Sequence, residues 1–319
     1  MTVPFDGRPL HEQADLFRRL VDLGYSDAWS AEADGFDAFT PLALASVWAP
    51  ELRLGTAIVP AYTRSPACLA QCVAGLAAAA PGRALVGIGA SSNVIVERWN
   101  GLAFDKPYQR VRDVLRFLRV ALTGEKVVEE YESFRIDGFR LGRPPEQPPK
   151  LLVAALRSGM LRLAGREADG VIINWLSAGD VAQVVPVVRD AAAGADREVV
   201  ARLFVCPSED TETVRERVRP MITAYLNVPV YAAFHEWLGH GDELQPMWDA
   251  WRDGDRKAAL AAVPDAVVDR LVIHGSVDEC RAHIDRFIGN GVTTTSLTIL
   301  PMAGVDVLQA MDDLAPARV

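Results

Sequence analysis

Four cysteines in 319 residues are too few, and too irregularly placed, for a disulfide framework or a zinc cluster. Cys68 and Cys72 stand one helical turn apart in "ACLAQCVAGL". With no histidine or second cysteine pair beside them they read as small apolar residues on a buried helix face. The chain is therefore expected to be free of disulfides and of bound metal. Basic blocks are absent and the net charge is −9, which speaks against a nucleic-acid partner. No apolar run approaches the ~20 residues that a membrane span needs. The opening "MTVPFDGRPLHEQ" lacks the basic and apolar regions of a signal peptide, so a cytoplasmic location is expected. Histidine is also scarce. His235 and His240 are five apart and do not share a helix face as an i, i+4 ligand pair would. His11, His274 and His283 occur singly. No G-x-S-x-G surrounds Ser91, and no Walker sequence occurs.

What is present is a regular beat of short apolar runs and helical patterns. "PLHEQADLFRRLVDLGY" has helical spacing with a stop at Gly24. "SDAWSAE", "LRLGTAIVP", "RALVGIGAS", "KLLVAAL", "GVIINW", "EVVARLFVCP" and "TTTSLTIL" read as strands, and "TVPF" at the start makes eight. Helical stretches lie between them, one opened by Pro66 and a late one by a Ser276/Glu279 capping box. Parallel strands joined by helical crossovers follow. Eight such units over this length predict an α/β fold, a (β/α)8 TIM barrel in one domain. A doubly wound open sheet is the alternative. Two insertions break the beat: a hairpin within 125–149, and a helical segment over 227–271 carrying Tyr231, His235, Trp237, Trp248 and Trp251. An ordered insertion of that length suggests a lid, with these aromatics as candidate pocket residues.

In such barrels function gathers at the C-terminal ends of the strands. One of these ends is "LVGIGASSNVIVERWNG". A dinucleotide fingerprint would need a glycine where Ser92 stands, so that reading fails by one residue. Gly87 and Gly89 still let a flat ligand approach the backbone, beside the small residues Ala90, Ser91 and Ser92. In "VAALRSGMLRLAG", Arg157, Ser158 and Gly159 fall at a helix start, where free N–H groups and the helix dipole favour a ligand phosphate. A third end is "RLGTAIVPAYTRSP". With no triad and no metal set, a cofactor must bring the chemistry and the protein the positioning.

"RLGTAIVPAYTRSP", "VGIGASSNVIVERWNG", "FDKPYQRVRDVLRFLR" and "LRLAGREADGVIINW", in this order, resemble the bacterial luciferase-like superfamily. The closest resemblance is to its branch dependent on coenzyme F420, an 8-hydroxy-5-deazaflavin, including the methylene-tetrahydromethanopterin reductases. The resemblance implies a non-prolyl cis peptide at Ala57–Ile58, in a bulge behind the ring. It also implies backbone contacts at Gly89, Ala90 and Ser91, and a segment for the cofactor's phosphate and tail at Ala154, Ala155, Leu156, Arg157, Ser158, Gly159 and Met160. Sugar-phosphate dehydrogenases of this group carry an Asp-His pair and a Glu where this chain has Glu32-Ala33 and Ala90, which argues against that reaction. No first-strand glutamate matches the one in the reductases. Glu32 and Asp34 are left as candidate catalytic groups. The resemblance also implies a homodimer.

The function expected is hydride transfer between the deazaflavin and a small organic substrate. An FMN-dependent monooxygenase and a non-catalytic cofactor-binding protein are the alternatives.

Overall fold

Short runs, most of them rich in apolar and β-branched residues, form the strands of a computed structural model that describes residues 1–302 and 304–316. In chain order they are β1 (Asp27–Ser30), β2 (Arg53–Pro60), β3 (Ala84–Gly89), β4 (Val127–Glu130), β5 (Arg135–Phe139), β6 (Lys150–Ala154), β7 (Gly170–Asn174), β8 (Glu198–Cys206), β9 (Val272–His274) and β10 (Thr294–Ile299). β4 and β5 form an antiparallel hairpin apart from the rest. The others pair in parallel in the order β1-β2-β3-β6-β7-β8-β10, with β9 added to β8. Every residue of β1 and β3 is buried, as expected of strands covered on both faces.

The chain start closes this sheet into a ring. Thr2 donates its N–H to Leu297 O of β10 at 2.8 Å, Val3 donates to Trp29 O of β1 at 2.8 Å, and Trp29 N–H returns to Met1 O at 2.9 Å. Thr2 thus forms a parallel bridge to Trp29 and occupies the eighth place in the barrel. The open-sheet alternative is excluded by this closure. The first strand is only a bridge, shorter than "TVPF", because Pro4 has no N–H with which to extend the ladder.

Side chains alternate across the barrel wall. Trp29, Leu85, Leu152, Ile172 and Val200 fill the interior, while Val86, Val153, Val171 and Val199 face the surrounding helices. The interior leaves no room at its glycines. A Cβ on Gly55 would lie 2.3 Å from the Trp29 ring, and one on Gly87 2.2 Å from Ile172 Cδ1 and 2.3 Å from Thr56 O. Gly87 is therefore a packing glycine rather than a ligand contact.

The helices follow the sequence pattern closely. Pro66 opens Pro66–Ala79, and the Ser276/Glu279 box opens Val277–Gly289. Gly24 adopts a φ of 87° after the first α-helix, Ala14–Asp22, a conformation that glycine takes at little cost. One expectation is corrected: Cys68 is exposed and Cys72 half-buried, because Leu69, Val73 and Leu76 take the inward face of their helix.

Both insertions are present as ordered elements. The hairpin packs three aromatic rings, Tyr131, Phe134 and Phe139, around Phe117 of helix Pro107–Ala121. The segment after residue 227 forms helices Pro229–Leu238, Gly241–Arg252, Arg256–Ala261 and Asp265–Leu271. Its own small core, with Leu244, Met247 and Val267, is continuous with Phe204 and Cys206 of β8. β9, which sequence did not announce, pairs with Phe204–Cys206 beyond Arg202, where the pairing of β7 with β8 ends.

Replacing Gly87 by alanine forces a methyl against a backbone oxygen that cannot yield. We expect a loss of roughly 1–3 kcal/mol in stability, read as a lower midpoint in urea unfolding with an unchanged slope.

Candidate active site at the barrel mouth

All barrel strands run in parallel, so their C-terminal ends meet on one face. Residues of the barrel's middle layer are sealed, whereas Ala57, Ile58, Ala90, Ser91, Ala154, Asn174 and Arg202 at this face are partly exposed. That gradient marks a mouth.

One wall is built by β2, β3 and β6. The β2–β3 register slips between Thr56 and Val59, and the Ala57–Ile58 peptide within the slip is cis. Ile58 O accepts the N–H of Glu32, 3.1 Å away, which ties the bulge to the loop after β1. Gly89 closes the floor beside it: a Cβ there would lie 3.1 Å from both Ala154 Cβ and Ile58 Cδ1. Ser91 follows with a φ of 65°, a left-handed conformation uncommon for serine and concentrated at ligand sites. The chain then enters a π-helical turn, Val94–Trp99, stabilised by Ser92 Oγ accepting from Ile95 N–H at 3.3 Å.

Beyond Ala154, Ala155 is buried and spends its N–H on Ile172 O (3.0 Å), and Leu156 is partly buried. Helix Ser158–Glu167 starts after Arg157, whose backbone is extended and whose exposed side chain supplies no cap. The first intrahelical bond comes from Leu161 N–H to Arg157 O at 3.0 Å, and the N–H groups of Ser158, Gly159 and Met160 meet no acceptor among the described residues. No acidic residue occupies the first turn, and the space around Gly159 is open. Three free donors thus stand together at the positive end of a helix.

The facing wall comes from β7, β8 and the helical insertion. Trp175 leaves β7 with a φ of 55° and stacks on Phe204 with ring centroids 4.3 Å apart. Asn174 meets Tyr231 Oη of the insertion at 3.3 Å. Arg202, paired in register with Asn174, lies over the Phe204 ring at 5.1 Å and donates Nε–H to Thr298 Oγ1 at 3.1 Å. Sequence alone does not single out Asn174, Trp175, Arg202 or Phe204. The available signal was a lone arginine and a lone asparagine at inward positions of otherwise apolar strands.

Of the candidate acids, Glu32 is fully engaged. Both its oxygens accept from Arg64 Nη1, at 2.6 Å for Oε2, and Thr63 Oγ1 (3.3 Å) and Ala38 N–H (3.2 Å) complete the set. Asp34 is exposed on the same loop. Of the insertion's aromatics only Tyr231 reaches the strand ends in a hydrogen bond. Trp248 donates Nε1–H to Leu226 O (3.0 Å) within the insertion's core, Trp251 lies under Arg256, and Trp237 stacks on Phe234. A cleft of about 440 Å³ also opens at the opposite end of the barrel, lined by Arg53, Lys150, Glu198 and others. Those charges neutralise one another: Arg53 pairs with Asp27 (2.6 Å) and Glu198 (2.9 Å), and Lys150 pairs with Glu198 (3.1 Å).

His235 is buried with neither ring nitrogen in a hydrogen bond. Burial, reinforced by neighbouring His240 and by Arg270 against the opposing pull of Asp180, lowers its pKa to about 4. His240 itself bonds Asp180 at 2.9 Å.

Comparison with known proteins bears on the fold and the family. The model of the luciferase-like monooxygenase family matches residues 3–294. A 5,10-methylenetetrahydromethanopterin reductase of Methanolobus tindarius is 25% identical over 301 residues, covering 91% of this chain and 90% of the relative. The solved coenzyme F420-dependent tetrahydromethanopterin reductase of Methanopyrus kandleri superposes with a TM-score of 0.80 at 22% identity, over 99% of this chain and 96% of that one. A type II Baeyer–Villiger monooxygenase component from Pseudomonas putida, solved with FMN, superposes with a TM-score of 0.66 at 17% identity, over 97% and 93% of the two chains.

The buried neutral His235 has a consequence for acid stability. Unfolded, it takes up a proton near pH 6.5; folded, only near pH 4. The unfolded state therefore binds more protons in that window, and stability falls as pH drops through it. We expect the melting temperature to decline from pH 6.5 to pH 4.5 and His235→Gln to flatten the decline. Half-buried His283, shifted to about 4 for the same reason, keeps part of the slope.

Proposed function

The chain belongs to the luciferase-like monooxygenase family and is an enzyme, and we propose that it is a coenzyme F420-dependent oxidoreductase moving a hydride to or from a small organic substrate. The observation that carries this reading is the wall of the mouth formed by the Ala57–Ile58 bulge, Gly89 and Ala154 next to an uncapped helix start. A planar ring with a phosphate-bearing tail needs such a pair: a shallow apolar floor, and anion donors at one side of it. The Methanolobus relative, a reductase by name, supports a redox reaction.

When bound, the deazaflavin supplies hydride donation or acceptance at its carbon 5. In this reading Ala57 and Ile58 back the ring, and the backbone of Gly89, Ala90 and Ser91 borders it. The segment from Ala154 to Met160 takes the tail, with the N–H groups of Ser158, Gly159 and Met160 on its phosphate. Tyr231 and the helical insertion cover the opposite side, which restricts water and orients the substrate. Glu32, held by Arg64, fixes the loop behind the bulge rather than carrying a proton. A cytoplasmic homodimer acting on a small molecule completes the proposal, and sedimentation tests its oligomeric state.

FMN has nearly the same ring outline, and the FMN-bound match supports a monooxygenase as the second reading. The two separate by titration: we expect coenzyme F420 to bind at least tenfold tighter than FMN. Tight FMN binding with oxygen uptake on supplying reduced FMN would establish the second reading instead, and binding without turnover of any substrate would leave a non-catalytic binding protein.

Gly159→Asp tests the anion site. An acidic residue in the first turn suits the helix dipole, so the melting temperature should hold or rise. Coenzyme F420 affinity should fall at least tenfold, about 1.4 kcal/mol, as measured by calorimetric titration.

A further inference from the structure

Arg202 is the feature of the mouth that the cofactor reading leaves unused. It lies on β8, four places round the eight-place ring from the β2 bulge, and so faces the proposed ring site across the mouth. Inward orientation follows from the alternation with interior Val200 two residues earlier and from its bond to Thr298, whose hydroxyl meets Thr2 Oγ1 at 2.8 Å.

Its surroundings neutralise nothing. Only Nε is hydrogen-bonded, and among the described residues no carboxylate forms an ion pair with it. Burial is the leading influence on its charge, followed by two tyrosines, Tyr225 and Tyr231. Several other partly buried arginines are paired: Arg64 with Glu32, Arg53 with Asp27 and Glu198, Arg270 with Glu243. Arg83, Arg110 and Arg197 bond backbone oxygens of the surrounding loops and helices. Arg202 differs in pointing into the barrel. A guanidinium withdrawn from water without a counter-charge is costly. Here the stacked Phe204 ring holds its plane in place and leaves both Nη groups free to form a fork, the arrangement that matches a carboxylate. Asn174, opposite in register, and Tyr231, bonded to it from the insertion, stand beside the fork.

We propose that Arg202 anchors the substrate, receiving the carboxylate of a small organic acid on its two Nη groups with the Asn174–Tyr231 pair alongside. This names a substrate class for the site and rests on the proposed function only in calling the ligand a substrate. The carboxylate would be held across the mouth from the ring floor, with the rest of the molecule between the two walls.

The test titrates acetate, pyruvate and benzoate into wild-type protein by calorimetry, with benzamide as the uncharged counterpart of benzoate and inorganic phosphate as a competing anion. At least one carboxylate should bind saturably, benzamide at least tenfold more weakly than benzoate, and phosphate more weakly than the best carboxylate. Arg202→Met should abolish carboxylate binding, or weaken it at least tenfold, while the melting temperature holds or rises. A merely structural arginine would instead lower the melting temperature on removal and leave the acid-over-amide preference intact. Arg202→Lys, which keeps the charge and loses the fork, should bind between the two. Coenzyme F420 affinity of Arg202→Met, measured alongside, should stay within twofold of wild type. Failure of the cofactor to bind wild-type protein would sink the cofactor reading while leaving the carboxylate result to be judged separately. Absence of carboxylate binding, equal binding by Arg202→Met, or preferred binding of phosphate would overturn the anchor.

Discussion

The two hydrogen bonds that Thr2 and Val3 donate to β10 and β1 turn a row of strands into a ring, and the mouth exists because of that closure. In an open sheet β2 and β8 would lie far apart on a twisted surface. Closed, they face each other across one opening, with the bulged floor on one side and Arg202 on the other. The cost of bringing the two sheet edges together is offset by burial of the interior layer, Trp29, Leu85, Leu152, Ile172 and Val200, none of which could be shielded from water in a flat sheet.

The barrel is graded along its axis. Its middle is packed so tightly that glycines stand where a methyl would collide. At the far end Arg53, Asp27, Glu198 and Lys150 neutralise one another. Toward the mouth the interior turns polar and incompletely paired: Thr2, Ser296 and Thr298 bond among themselves, and Arg202 has no anion. Of the four non-glycine residues with positive φ among the described residues, two, Ser91 and Trp175, lie directly at strand ends on this face. Two of the strained residues and the unpaired Arg202 thus lie on the same side, where a ligand can use them.

Much of this was legible in the chain. The spacing of apolar residues located the barrel strands and the helices between them, because strand and helix impose different periods on whatever they bury. The uncapped start at Ser158 was legible for a local reason: Arg157 is no capping residue, and the first turn carries no acid. The Ala57–Ile58 bulge was reached through family resemblance, since nothing in "GTAIVP" distinguishes a cis bond from a trans one. Cys68 went wrong by one helix face, a placement that periodicity in an alanine-rich helix constrains weakly. The engagement of Glu32 was not legible, for Arg64 stands thirty-two positions away and their contact depends on two loops meeting.

The sequence by itself determined the alternation of parallel strands and helices that makes the barrel, and where its helices begin and end, because the period of buried residues and the caps are set by residues near in the chain. Only the tertiary structure decided that the ring closes through Thr2, that Glu32 is engaged and Arg202 is not, and that one aromatic of the insertion, Tyr231, touches the strand ends while Trp248 serves its own core. These depend on distances between residues far apart in sequence, where burial and pairing emerge only once the chain has folded back on itself.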